Sequence, residues 1–535
     1  MNGSLILLLH AHLPYVRHPG YDYSLEEHWL FECIRETYVP LLDTLERLAD
    51  DGISSGLTLS FSPVLMEMLN DDLLRQRFVR YMDNLTELAE QEKKRTARSA
   101  FAPAAFLYAA AFRRVRDLYC GRYGRDLLCA FRKLQDAGHV EIITTAATHA
   151  FLPAFEKYPR VIRSQIDLGV ESYARVFGRR PEGFWLPECG YFKGLDAHLK
   201  RAGIRYFFVE SHGLVQGRPR PRYSVYRPVL TPEGVFAFGR DFRSARQVWC
   251  ADRGYPGDHA YRDFYRDIGF DLPLSYTGAF TRMKDVRTFT GLKYYRVTGK
   301  TENKLPYDRP AAMQRAAEHA MHFVRERETD FMKLSSFHFR PAVISAFDAE
   351  LFGHWWHEGI EWLDMALRKT QEPEATFRVT TPSHYLRGAA RTGPFDRIEP
   401  AASTWGEGGF SELWIGQRNH HLYRHLHTMA GRMETLVSRR SGSAAVKRAV
   451  CQAMREMLLA QASDWAFLME KDRASTYAEG RVRRHMERFH QLYRMVMENR
   501  APEERVRVME EEDNVFSWLG DPGEFYALES ESRLS

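Results

Sequence analysis

Two acidic residues stand where apolar runs give out, and their types and positions point most directly to chemistry. Glu188 follows the run GFWLP that begins at Gly183, and Asp348 follows PAVISAF that begins at Pro341. A carboxylate at the end of a buried strand is held by a rigid element yet opens on a loop that substrate can reach. If the strands are parallel and surround a common axis, two such side chains meet at one end of the sheet despite their separation in sequence. Carboxylates about 5–5.5 Å apart suit a retaining glycosidase, in which one attacks the sugar carbon and the other protonates the leaving oxygen. On this reading Glu188 is the nucleophile. The structural alternative is that each acid caps a helix or pairs with a cation.

His10 and His12 end a further apolar run, Leu5 to Leu9, and face the same side only if the strand continues through Ala11. Such a pair can hydrogen-bond sugar hydroxyls or the nucleophile. It also permits a metal reading, in which His10, His12, His149, His354, His357 and Asp348 hold a cation in a barrel metallohydrolase. A purely structural role is the third possibility. His354 and His357 sit beside Trp355 and Trp356, a setting better matched to sugar stacking. Trp185, Trp249, Trp405 and Trp414 fall close to the other motifs, and aromatic faces stack on the apolar faces of pyranose rings. Half or more of these rings can equally be core, and Trp29, Trp362 and Trp465, on expected helices, are assigned there.

The elements that must position these residues follow from periodicity. Ser4–Leu9, Gly56–Phe61, Val140–Thr145, the run before Glu188, Tyr206–Glu210, Val235–Gly239, Tyr294–Thr298, Pro341–Phe347 and Phe377–Thr381 read as strands. Helices are expected between most of them, including Leu25–Ala49 and Pro159–Phe177. That cadence predicts an α/β fold, a barrel of seven or eight β/α units. Residues 64–137 read as a helical insertion with one long helix at Ala104–Gln135. The catalytic unit then comprises 1–63 and 138–399. Residues 400–535 form a C-terminal helical domain with helices at Leu413–Val437, Ser443–Met469 and Ser475–Met497 and a peripheral acidic tail. The loop 211–228, with three prolines and many arginines, is longer than a usual β/α connection.

Composition narrows the class. Lys plus Arg numbers 75 against 70 for Asp plus Glu, a balance too even for a nucleic-acid partner. No apolar run of about 18 residues exists, so no membrane span is expected. The run Leu5–Leu9 is too short for a secretory signal. The six cysteines are scattered without a CxxC pair, which argues against a zinc ribbon or disulfide framework and fits a reducing cytoplasm. No cofactor is expected, and no protein partner can be named.

The motifs HAHLPYVRHP (10–19), GHVEIITTAATH (138–149), WLPECGY (185–191), AFDAELFGHWW (346–356) and STWGEGGFSELWIG (403–416) resemble, in this order, those of glycoside hydrolase family 57. Within it the 1,4-α-glucan branching enzymes are the nearest match. The resemblance implies a seven-stranded β/α (TIM-like) barrel with a helical insertion and a helical C-terminal domain helping to form the cleft. It implies Glu188 as nucleophile, Asp348 as acid/base, an α-1,4-glucan substrate and transfer to a 6-hydroxyl, as in making a glycogen-type polymer. His10 and His12 resemble donors lining the sugar subsite, with His149, His354 and Trp355 as further binding residues. Trp405, Trp414 and, in QVWCADRGYPGD, Trp249 resemble cleft tryptophans. A tyrosine-bearing loop over the site is expected at 211–228, with Tyr223 or Tyr226. Alternatives are an α-amylase-like hydrolase, a 4-α-glucanotransferase, a metal-dependent amidohydrolase-like or deacetylase-like enzyme, and a catalytically silent glucan-binding protein.

Overall fold

The structure, a computed structural model, describes residues 3–250, 254–283, 285–299, 301–337, 339–439 and 442–526. Nine strands form one sheet: β1 (Gly3–Ala11), β2 (Leu57–Phe61), β3 (Val140–Thr145), β4 (Gly183–Trp185), β5 (Tyr206–Val209), β6 (Val229–Leu230), β7 (Phe236–Gly239), β8 (Ala342–Asp348) and β9 (Phe377–Val379). Their order is β6-β7-β5-β4-β3-β2-β1-β8, with β9 beside the start of β1. All pairings are parallel except that of β6 with β7. β1 is buried along its whole length, as a strand covered on both faces requires.

Alternation of side chains divides the core. Leu5, Leu7 and Leu9 of β1 face the helices, within the larger apolar cluster. Ile6 and Leu8 face the other way and join Ile143, Trp185, Phe208, Phe238 and Ile344 in a second cluster. This second cluster unites β7 with β8, the far ends of the parallel run, so the sheet is curled and these residues fill its hollow. The same alternation puts His10 on the inner face above Leu8, and Asp348 on the inner face above Ala346.

The curled sheet departs from the expected seven-stranded closed barrel. β7 and β8 are not paired; Asp241 N–H, just past β7, donates to the Ile344 carbonyl of β8, and Ala342 N–H of β8 donates to the carbonyl of Tyr226, ahead of β6, both 2.8 Å. β6 has only two residues, too few to show a period. Tyr294–Thr298 is no strand; it makes only isolated bridges, Arg262 with Arg296 and Tyr295 with Pro306.

Between β2 and β3 the chain is helical: Pro63–Asn70, Asp72–Thr96, Ala102–Asp117 and Leu127–Asp136, with Ser62, Asp71 and Asp126 accepting the capping N–H bonds of three of them. The expected single helix Ala104–Gln135 is interrupted, because Gly124 turns at φ +56° and Asp126 starts a new helix. After β9 the main helices are His421–Ser438, Ala444–Ala460, Ser463–Glu470 and Ser475–Met497. The expected helix Ser443–Met469 is therefore two, broken at Gln461 and Ala462. There Ala462 bridges Ala150, and Ser463 N–H donates to the His149 carbonyl at 3.0 Å. The tail is not peripheral up to Tyr526. Phe516 is buried, Trp518 donates to Glu67, and the Tyr526 hydroxyl donates to the Ala430 carbonyl; residues 527–535 lie outside those described.

Candidate active site

At the C-terminal end of the sheet the inner columns run out into polar groups. In the β1–β8 register His10 stands opposite Asp348, and in the β1–β2 register opposite Ser60. β1 does extend to Ala11, so His10 and His12 project to the same side with ring centroids 6.0 Å apart. His149 joins them from the loop after β3, its ring stacked 3.8 Å from that of His12. Glu188 arrives from just beyond β4. Its φ of +60° and that of Cys189, +51°, are both left-handed, a conformation costing non-glycine residues about 1–2 kcal/mol each.

What holds that strained turn is Trp405, whose backbone N–H donates to the Glu188 carbonyl at 2.9 Å and whose indole N–H donates to Oε2 at 2.7 Å. Ser463 donates to Oε1, also at 2.7 Å. Ser463 and Asp464 come from the start of the helix Ser463–Glu470, and Asp464 accepts from His12 Nε2 at 3.0 Å. Neither residue was singled out from sequence, because both lay inside an apparently continuous helical period. Their polar SD pair just after Ala462 is a helix-start signal that could have found them.

These contacts form a chain with a fixed direction. An ionised Glu188 only accepts, so the single Ser463 hydroxyl proton is committed to it. Ser463 must then accept from His149 Nδ1–H at 2.9 Å. His149 Nε2 is left as the acceptor from His10 Nε2–H, also at 2.9 Å. His10 Nδ1 finally accepts from the Ser60 hydroxyl at 3.0 Å. Both rings are neutral in this arrangement, consistent with burial holding His10 and His149 well below the ordinary histidine range. Burial pulls on His12 too, but the Asp464 carboxylate overrides it and raises His12.

Burial lifts both strand-end acids. Glu188 is raised to about 7 against the opposing hydrogen bonds of Trp405 and Ser463, and Asp348 to about 6 against the charges of Arg240 and His12. The Asp348 charge adds a smaller upward push at Glu188, and between about pH 6 and 7 the two carboxyls together hold about one proton. The separate values put that proton on Glu188, whereas the hydrogen bonds put it on Asp348. The hydrogen bonds decide: both Glu188 oxygens already accept, while the Asp348 carboxylate accepts none among the described residues. Arg240 ties the two sides together. It pairs with Glu210, donates to the Ala346 carbonyl at 3.0 Å and lies 5.0 Å over the Trp405 ring.

The six-residue metal set is not assembled. His354 bonds Glu36 at 2.7 Å in a separate buried charge network, and His357 packs near Tyr108 and Tyr307. His12, His149 and Asp464 do offer ligand atoms within 4.8 Å of one another. However, the two rings are stacked with only 15° between their planes. A metal lies in the plane of each imidazole that binds it, so one ion cannot serve both.

The remaining sequence candidates scatter. Trp414 is buried and stacked on Phe151 at 5.3 Å, supporting the loop after His149 from behind. Trp355 is 43% exposed and stacked on Phe264, and Trp249 is 54% exposed; residues 251–253 of its motif lie outside those described. Trp185, Trp356, Trp362 and Trp465 are buried, and Trp29 packs partly buried against the core. Tyr223 and Tyr226 are at the wrong end of the sheet for the expected cover. The Tyr226 carbonyl bonds Ala342 at the start of β8, and Tyr223 stacks on Phe339. Six residues of strand, about 20 Å at 3.3 Å per residue, separate Ala342 from Asp348. The loop is held there by a backbone bridge of Arg218 with Glu399 and the ion pair of Arg222 with Asp396.

Comparison with known proteins places these features in a family. Residues 6–399 match Glycosyl hydrolase family 57, and residues 425–521 match the region described as 1,4-alpha-glucan branching enzyme, C-terminal. A 1,4-alpha-glucan branching enzyme of Thermococcus kodakarensis is 34% identical over 96% of this chain and 78% of its own. Among solved structures, the alpha-amylase AmyC from Thermotoga maritima is 40% identical, covering 99% of this chain and 100% of its own with a TM-score of 0.91. A branching enzyme from Pyrococcus horikoshii is 33% identical, covering 99% and 98% with a TM-score of 0.86. On the family match and these identities, the chain belongs to glycosyl hydrolase family 57.

Proposed function

We propose that the protein is a 1,4-α-glucan branching enzyme working by retaining double displacement. Glu188 attacks the anomeric carbon of an internal α-1,4 bond while Asp348 gives its proton to the departing oxygen, leaving a glycosyl ester on Glu188. Asp348, now a base, takes the proton of an incoming glucan 6-hydroxyl, which displaces Glu188 and creates an α-1,6 branch. His12 departs from the sugar donor the resemblance implies: its Nε2 is committed to Asp464 and its Nδ1 bonds Ser62 at 2.8 Å, so it braces the site. The observation that carries this reading is the unequal solvation of the two acids. Glu188 is fixed by two donors that favour its anion, and Asp348 is left without donors and so able to hold the proton. A glycogen-like polymer in a reducing cytoplasm is the setting we infer.

A hydrolytic reading, as in α-amylase, is favoured by one observation: Tyr223 and Tyr226 lie far from the acids, so neither shields the glycosyl ester from water. Incubation with amylose followed by proton NMR separates the two. New α-1,6 anomeric signals support branching; reducing ends without them support hydrolysis.

A further inference from the structure

A second cavity of about 670 Å³ opens at the opposite end of the sheet, where the parallel strands begin. Its size falls in the range of about 300–1,000 Å³ usual for small-molecule sites. Val140 of β3 and Arg378 of β9 line it, with Glu182 and Arg340 just ahead of β4 and β8. The length of β8 separates this end from Asp348, so the cavity is no part of the glucan cleft.

Its charge is one-sided. Five arginines, Arg179, Arg180, Arg340, Arg378 and Arg387, line it against two glutamates, Glu141 and Glu182. Among the described residues, of these five only Arg179 pairs with a carboxylate, that of Asp136. Arg180 and Arg378 donate to carbonyl oxygens, which leaves their charge uncompensated. Arg340 lies over the Tyr385 ring, and neither it nor Arg387 has an ion pair among the described residues. Guanidinium forks of this kind suit the planar, bidentate recognition of phosphate oxygens.

The inner wall asks for something else. Gln135 is buried, and its Oε1 accepts from Ile142 N–H and lies 3.0 Å from the Tyr173 hydroxyl, but its Nε2 has no partner among the described residues. The Ser383 hydroxyl lies 2.5 Å from Glu141 Oε1 and 2.8 Å from Glu182 Oε2, and its single proton serves only one of them. Glu141 also accepts from the Tyr206 hydroxyl and Ser383 N–H, and Glu182 Oε2 pairs with Arg205. The orphan amide donor and Glu182 Oε1, which accepts no bond among the described residues, match hydroxyl groups, and the carboxylates disfavour a bare anion.

Arginines at the rim and hydroxyl partners within define one class of ligand, and we propose that this cavity binds a hexose phosphate, its phosphate on Arg340 and Arg387 and its hydroxyls toward Gln135 and Glu182. The test is calorimetric titration of the full chain with glucose 6-phosphate, and with glucose and inorganic phosphate separately. Saturable binding of one glucose 6-phosphate per chain, tighter than either fragment, is the expected result. The double variant Arg340→Gln/Arg387→Gln should lose about tenfold or more in affinity, the scale of charge-assisted hydrogen bonds. It should keep wild-type glucan transfer without the ligand, which shows that it folds. The proposal is overturned if no saturation occurs, if glucose or phosphate alone binds as tightly, if the double variant binds unchanged, or if maltoheptaose displaces the ligand.

Discussion

Trp405 grips Glu188 twice, through its backbone N–H on the glutamate carbonyl at 2.9 Å and its indole N–H on Oε2 at 2.7 Å. The first bond stabilises a left-handed backbone turn, and the second aims the carboxylate. A tryptophan that the sequence resemblance casts as a cleft residue thus acts on the carboxylate proposed as nucleophile.

Replacing Trp405 by Phe keeps the ring packed against Trp185 but removes the indole donor. Loss of a hydrogen bond to a charged group, about 1.5–3 kcal/mol, predicts a kcat lower by about 10–100-fold. The thermal midpoint should move little, since the backbone bond to Glu188 remains. Unchanged kcat in Trp405→Phe would show that the indole bond does not support the reacting carboxylate.

The acid pair predicts a narrow pH optimum. Below about 6 both carboxyls are protonated and the nucleophile is lost; above about 7 both are ionised and the acid is lost. The pH dependence of kcat/KM for a short glucan should therefore be bell-shaped, with flanks near these two values. Ser463→Ala removes a donor from the Glu188 anion, so the acid flank should move to higher pH. A flank that stays in place would mean that Ser463 does not tune Glu188.

The directed chain from Ser60 to Glu188 fixes two tautomers, Nε2–H for His10 and Nδ1–H for His149. Nitrogen chemical shifts of selectively labelled histidine report them directly. Protonating Glu188 frees Ser463 to donate to His149 instead, so both tautomers should switch together as pH falls through the Glu188 titration. Independent tautomers, or a charged His149 above that titration, would break the chain.

Much of this site could be read from the chain before the fold was known. Glu188, Asp348, His10 and His12 are legible because each stands where an apolar run gives out, and in a parallel sheet strand ends share one face; His149, in the loop after β3, enters only through its motif. Trp405 was found for its ring but not for its bond to Glu188, since a side-chain donor's target is a tertiary fact. Ser463 and Asp464 were hidden because the helical period persists across Gln461 and Ala462; the break comes from the bridge to Ala150, more than 300 positions earlier. The loop 211–228 is placed over the site by the family resemblance together with its length. Arg222 pairs with Asp396 and the Arg218 backbone bridges that of Glu399, and nothing local to the loop announces which end of the sheet they occupy. β6, with two residues, is too short to show a period, whereas β9 falls within the expected strand Phe377–Thr381.

The most direct measurement of the central claim is a trapping experiment on the glycosyl-enzyme. Asp348→Asn, supplied with an α-maltosyl fluoride whose leaving group needs no proton, should accumulate the covalent intermediate because it lacks the base for the second step. Mass spectrometry of the proteolysed protein should then find the maltosyl mass on the peptide containing Glu188, at that residue, and none in the Asp348→Asn/Glu188→Gln variant. An adduct on another residue, or undiminished transfer by Glu188→Gln alone, would contradict the assignment of Glu188 as the nucleophile.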